Sequence, residues 1–255
     1  MRRAAMEAPG EIIGIWRLGR CLSRGPTRSV YQAQPADAGA SNRWPYVIRV
    51  GGVADQSSTE RYIRSSVANR DRGLIPVIDG VSDSATPYVV TPALAGSGMP
   101  SENRSPILVT WAARQIAEAV ASMHRRGWMH GDLREPHLLC NNLGHLIVID
   151  LSSSTEIGAV PLAIDSAGPG GPPEYARLDR AVVAASDVFM LGSVLQRWLE
   201  TVSVDPIVLT PLRKLSQQMV AQAIDDRPTM QTVADQLRMI EWTNLQQRIR
   251  PGVAA

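Results

Sequence analysis

His130-Gly131-Asp132-Leu133-Arg134-Glu135-Pro136-His137 is the stretch on which the reading of this chain turns. Ahead of it, Leu108, Ala112, Ile116, Val120 and Met123 recur at helical spacing in a segment ending at Gly127, which predicts a long amphipathic helix. Behind it, the apolar runs 138–140 and 146–149, joined by Asn141-Asn142-Leu143-Gly144, predict a hairpin. The second run closes on Ile149-Asp150-Leu151-Ser152, so helix, acid-bearing loop, hairpin and second acid follow in order.

Toward the N-terminus, short alternating runs such as 29–33 and 46–50 predict the strands of a small sheet. Among them, residues 55–69 predict one helix, with Ser57 and Glu60 spaced as a capping box. Residues 94–104, rich in Gly, Ser and Pro, read as a linker or hinge. Toward the C-terminus, 152–173 is a long irregular stretch of the functional or mobile kind. Residues 188–199 form a nearly all-apolar helix expected to be buried, and 209–223 and 229–242 are further helices. The chain is thus expected to be α+β, with a β-rich unit at 12–94, a larger mostly helical unit at 95–245, and terminal extensions at 1–11 and 246–255.

Composition narrows the function classes. With 255 residues, 44% of them hydrophobic, the chain can bury a sizeable core, and a net charge of +2 gives no electrostatic case for nucleic acid or anionic membrane. No apolar run is long enough to span a bilayer or, after Met1-Arg2-Arg3, to form a signal segment, so a cytoplasmic location is expected. Cys21 and Cys140 have no paired spacing and are expected to be buried thiols. Of 26 basic residues only Lys214 is lysine, so an arginine where chemistry prefers lysine has a purely compositional explanation.

The 130–137 stretch resembles the protein-kinase catalytic loop, and Asp150 falls where kinases carry the metal-binding Asp-Phe-Gly. Pro172-Pro173-Glu174 resembles the Ala-Pro-Glu motif, the 186–192 segment resembles the start of the central buried helix, and Asp226-Arg227-Pro228 follows. Together they are similar to the eukaryotic-like Ser/Thr protein kinases of bacterial type, over roughly Ile12 to Trp242. A different register would set Asp179 at the glutamate position, but spacing to Asp187 favours Glu174. The resemblance implies a two-lobed protein-kinase-like fold, a Glu174–Arg227 pair, backbone N–H groups donated to Asp187, and a packed His130. It also implies ATP and magnesium as cofactors and a protein substrate or partner.

Within that resemblance Asp132 orients the substrate hydroxyl, Arg134 holds the catalytic-loop lysine position in the Ser/Thr manner, and Asp150 binds magnesium, although each acid could instead cap a turn. His137 stands where the family has an asparagine for a second magnesium; imidazole is a borderline donor, and a zinc reading with His130 lacks a third histidine or a cysteine. The glycine-rich loop aligns with residues 23–30, keeping Gly25 and Val30. Pro26 removes an N–H and Arg28 adds bulk, so a solvated hairpin turn is the alternative to a phosphate cradle. Arg49 takes the strand-lysine position, with Val47 on the same face and Tyr46 and Ile48 on the other. No acid for it lies near residues 62–64, and Glu60 is the nearest. Thr91 is the gatekeeper position and Leu94 offers backbone groups to adenine. Gly131 replaces an arginine that reads activation-segment phosphate; Ser152, Ser153, Ser154, Thr155 and Ser166 read as loop residues open to another kinase.

Three functions stay open: an impaired or inactive kinase acting as a regulatory or binding module, a divergent active Ser/Thr kinase using Asp132 and Asp150 with one metal, and a small-molecule phosphotransferase. The last class also carries a His-Gly-Asp loop, and it gains if Glu174 and Arg227 lie apart.

Overall fold

The alternating N-terminal runs fold as an antiparallel sheet because their apolar positions recur every second residue and so share one face. The computed structural model describes residues 10–39, 43–94, 98, 105–141, 143–159, 171–176, 183–202 and 206–249. The linker at 94–104, apart from Leu94 and Gly98, lies outside the described residues, as do most of the terminal extensions, residues 160–170 with Ser166, and residues 177–182 with Asp179. The chain divides into two compact units, Met1–Arg70 with Ile75–Ala95 and Asp71–Leu74 with Gly96–Ala255.

Among the described residues the first unit contains β1 (Ile12–Ile13), β2 (Trp16–Arg24), β3 (Arg28–Pro35), β4 (Tyr46–Gly51), β5 (Asp79–Val81) and β6 (Tyr88–Pro92). They form one sheet in the order β1-β2-β3-β4-β6-β5. Its core joins Ile13, Trp16, Leu18, Tyr31, Ala33, Ile48, Val50, Tyr88 and Val90, with Tyr46 packed against them. Polar edges of this core are satisfied on Asp79, whose Oδ2 accepts from Trp16 Nε1 at 2.6 Å and Tyr88 Oη at 3.1 Å. Helix α1 (Gln56–Ala68) begins after Asp55 with no side-chain capping hydrogen bond. The expected capping box is therefore not formed. The helix starts two positions too early for it: Ser57 already lies inside the helix, and both Ser57 and Glu60 face solvent.

The second unit contains, among the described residues, α2 (Pro106–Arg125), α3 (Ala184–Glu200), α4 (Pro206–Met219) and α5 (Met230–Ile249), with short strands β7 (Trp128–Met129), β8 (Leu138–Cys140), β9 (Leu146–Val148) and β10 (Thr155–Glu156). Ser105 caps α2 by accepting from Leu108 N–H at 3.2 Å, and Pro106 suits the first turn, where no N–H is needed. Its apolar stripe, Ala112, Ala113, Ile116, Ala117, Val120 and Met123, is buried. On α5, Met230, Val233, Ala234 and Leu237 are buried, and Arg114 of α2 pairs with Glu241. Helix α3 is buried along most of its length, as its apolar composition predicts, and Gly192 permits close approach to α4, because a Cβ there would lie 2.6 Å from Met219 Cβ. Helix α4 begins and ends three to four residues before the apolar pattern suggests.

The predicted hairpin is β8 paired with β9, Leu138 opposite Val148. Asn141 builds its turn, accepting the Leu143 and His145 N–H groups on Oδ1. Cys21, on β2, and Cys140, at the end of β8, are half-buried rather than buried.

Candidate active site

A single buried carboxylate anchors the 130–137 loop. Asp187, in the first turn of α3 and fully buried, accepts His130 N–H on Oδ2 at 2.8 Å and Gly131 N–H on Oδ1 at 2.9 Å. Burial alone would raise its pKa, but the hydrogen bond to His124 Nε2 at 2.9 Å, the nearby imidazoles and the loop amides hold it below the usual carboxylate value. His130 is fully buried, and burial pushes its pKa down, so the ring is neutral near pH 7. It then donates Nε2–H to the Ile149 carbonyl at 3.1 Å and accepts Asp132 N–H on Nδ1 at 3.2 Å. This imidazole ties the segment bearing Asp132 to the one bearing Asp150.

Gly131 sits at φ +82°, and a Cβ there would lie 2.5 Å from the Ser153 carbonyl oxygen. This backbone excludes an arginine at the position. The serines that follow are not open loop residues either: Ser152 and Ser154 are buried, and Ser154 Oγ donates to the Met129 carbonyl at 2.6 Å. The short turn 151–153 folds them inward, which a serine-rich sequence does not reveal.

The four predicted residues of this unit converge. Arg134 Nε lies 3.1 Å from Asp132 Oδ2. His137 Nδ1 meets the Asp132 carbonyl at 2.9 Å and Asp132 Oδ2 at 3.4 Å. Its Nε2 faces Arg134 Nη2 at 3.3 Å and Asp150 Oδ2 at 3.6 Å. Asp150 has φ +60°, a left-handed conformation unique among the described non-glycine residues. Its Oδ1 caps a turn by accepting Ser152 N–H at 3.2 Å, which leaves Oδ2 toward His137. Glu174 and Arg227 form a bidentate pair, 2.7 and 2.9 Å, with Ser186 Oγ donating to Glu174 at 2.6 Å. Although burial opposes it, that pairing holds the Glu174 pKa down.

In the sheet unit, Val30 pairs across from Arg49 and Arg49 from Val89, while Gln32 pairs with Val47 and Val47 with Thr91. Directly opposed residues share a face, so Val30, Val47, Arg49 and Thr91 line one surface, opposite the Ile48 side. Leu94 follows β6, half-buried. Gly25 spends its N–H on the Arg28 carbonyl at 2.8 Å, closing a tight turn. With Pro26 next to it, the loop has few amides left to cradle a phosphate.

One partner of the predicted residues does not follow from the motifs. Arg49 does have an acid: its Nη2 meets Asp55 Oδ1 and Oδ2 at 3.0 and 2.9 Å and Ser58 Oγ at 2.5 Å. Asp55 is buried, and Arg28 Nη1 approaches it at 3.9 Å. Residues 62–64 of α1 carry no acid, and the acid that Arg49 meets is instead Asp55, immediately before the helix. An aspartate where a helix N-terminus favours negative charge was the available signal.

These donors suit a cation only in part. Among the described residues no group of three or more His, Cys, Asp or Glu side chains is disposed to hold a metal ion. Asp150 offers one hard oxygen and His137 a nitrogen, so any ion there needs phosphate or water to complete its shell, and a second all-oxygen magnesium position is absent from this loop.

A family model described as the lipopolysaccharide kinase (Kdo/WaaP) family matches residues 107–160. The chain is 35% identical over 120 residues to the serine/threonine-protein kinase AfsK of Streptomyces coelicolor and to that of Streptomyces griseus, covering 44% of this chain and 14% of each relative. It is 28% identical over 158 residues to CBL-interacting protein kinase 19 of Oryza sativa subsp. japonica, covering 57% of this chain and 30% of that protein. The matched part is thus well under two thirds of each relative's length. The family model and these relatives, laid on the fold and the motif geometry above, support a protein-kinase-like family for the chain.

Proposed function

We propose that this is a Ser/Thr-type kinase domain with impaired ATP handling that acts as a binding or regulatory module. The observation that carries the proposal is His137, inserted between Asp132 and Asp150 where a second magnesium would need oxygen ligands. Members of this family use ATP and magnesium, which neutralise and orient the phosphates. In this chain Asp132 would orient a substrate hydroxyl and Asp150 would hold the ion. Arg134 and His137 already engage both carboxylates, and the turn at Gly25 offers little to the phosphates. The test is phosphate transfer with magnesium and with manganese: none is expected, and robust transfer lost in Asp132→Asn overturns the reading.

A second reading, a divergent active Ser/Thr kinase, is favoured by the Arg49–Asp55 pair, which leaves the strand cation correctly partnered by an acid. It requires ATP to raise the melting temperature, and a flat response with every metal rejects it. The small-molecule phosphotransferase gains nothing, since Glu174 and Arg227 are paired rather than apart.

A further inference from the structure

We infer that the cavity between the C-terminal end of α2, the first turns of α3 and the start of α5 binds a small apolar zwitterion of the amino-acid class. Its volume is about 550 Å³, inside the range of roughly 300–1,000 Å³ usual for small-molecule sites. Ala121, Ala184, Val188, Ile224 and Met230 give it apolar walls. Asp132 and Asp150 do not line it, so the inference goes beyond the kinase-like reading rather than resting on it.

The polar groups of the lining point to the charges of the ligand. Arg125 and Asp225 are exposed, and among the described residues neither forms an ion pair; Arg125 Nη1 donates to the neutral Gln231 Oε1 at 2.7 Å. Arg227 also lines the cavity, but Glu174 already neutralises it at 2.7 and 2.9 Å. One uncommitted charge of each sign therefore remains, and a ligand with a single charge would match only one of them. His124 adds an acceptor. Its side chain is 13% exposed, and Nε2 donates to the Asp187 carboxylate at 2.9 Å, so the neutral ring presents Nδ1, which has no partner among the described residues. A carboxylate on Arg125, an ammonium toward Asp225 and His124, and an apolar side chain against Val188 and Ile224 satisfy all of these groups at once. Through His124 the site also touches Asp187, which holds the His130 and Gly131 amides, so an occupant should slow the exchange of those amides with solvent.

The experiment is calorimetric titration of the full chain with L-phenylalanine, with phenylpropionate, which lacks the ammonium, and with phenethylamine, which lacks the carboxylate. Phenylalanine is expected to bind about threefold or more tighter than either analogue. Arg125→Gln and Asp225→Asn are changes at exposed positions that the fold tolerates. Each is expected to weaken phenylalanine about threefold or more, the first leaving phenethylamine unchanged and the second phenylpropionate. At saturation the His130 and Gly131 amides are expected to exchange more slowly than in the free chain. No saturable binding of phenylalanine by about 10 mM, analogues that bind as tightly, or wild-type affinity in both variants overturns the inference. Binding that leaves the two exchange rates unchanged overturns the placement beside His124. None of these readouts involves phosphate transfer, so failure of this inference and failure of the impaired-kinase reading are separate results.

Discussion

The helical unit and the sheet unit hold their kinase-like motifs with different completeness. In the helical unit the groups that hold the loop in place are complete: Asp187 receives both loop amides, and Glu174 and Arg227 meet bidentately. In the sheet unit the strand face survives, with Val30, Val47, Arg49 and Thr91 aligned, while the turn at Gly25 consumes its own amide and Arg49 is held by Asp55 and Ser58. A buried anchor cannot be lost without exposing its partners to an apolar interior, whereas a solvent-side turn can change at little cost to the fold. The anchors are therefore the costlier of the two to change.

The largest effect that could break this contrast is at Asp187. Asp187→Ala leaves two loop amides and His124 without their acceptor and should cost about 4 kcal/mol in denaturant unfolding. A loss under about 1 kcal/mol would mean the anchor is dispensable. Asp55→Ala should come next, at about 3 kcal/mol, because it strands the buried Arg49 guanidinium; if the change proves neutral, the sheet unit has no ionic lock to compare.

Acid should separate the groups further. His130 has a lowered pKa, so its contribution is complete above the unfolded imidazole value of about 6.5 and is lost as pH falls below it. Glu174 and Asp187 also have lowered pKa values, and their contributions are present above about 4 and lost as pH falls toward their folded values. Stability measured against pH should decline in two stages, and Glu174→Gln should flatten the lower one. A single transition unaffected by that variant would count against the pairing. The smallest effect expected is at Gly25. Its φ is not in the left-handed region and a Cβ would meet only the Arg28 carbonyl at 3.2 Å, so Gly25→Ala should change stability by about 0.5 kcal/mol or less and leave any ATP-induced shift intact. Loss of such a shift would show that this turn handles phosphate after all.

The anchors were legible in the sequence because each depends on backbone spacing that a motif records: Asp187, Glu174 and Arg227 all fall where the resemblance put them. The alternation around Tyr46 to Val50 likewise told the two faces of β4 apart. What stayed hidden depended on side-chain reach and local burial. Arginine extends farther than lysine and can find its acid at a helix start, so positions inside α1 do not point to Asp55. The turn that buries Ser152 and Ser154 is accompanied by the Asp150 cap on Ser152 and the Ser154 Oγ bond to the Met129 carbonyl, contacts that a run of serines does not record. Helix starts suffered for the same reason, since Ser57 and Glu60 match a spacing rule two positions out of phase with the real first turn.

Asp150 carries a consequence for how this chain is tolerant of change. A glycine would occupy φ +60° with less strain, and an asparagine would accept the Ser152 N–H equally well. Neither the conformation nor the cap asks for a charge. What the charge adds lies outside the turn, on Oδ2 facing His137 Nε2 at 3.6 Å, so Asp150→Asn removes one negative charge beside that ring while the Ser152 cap stays available.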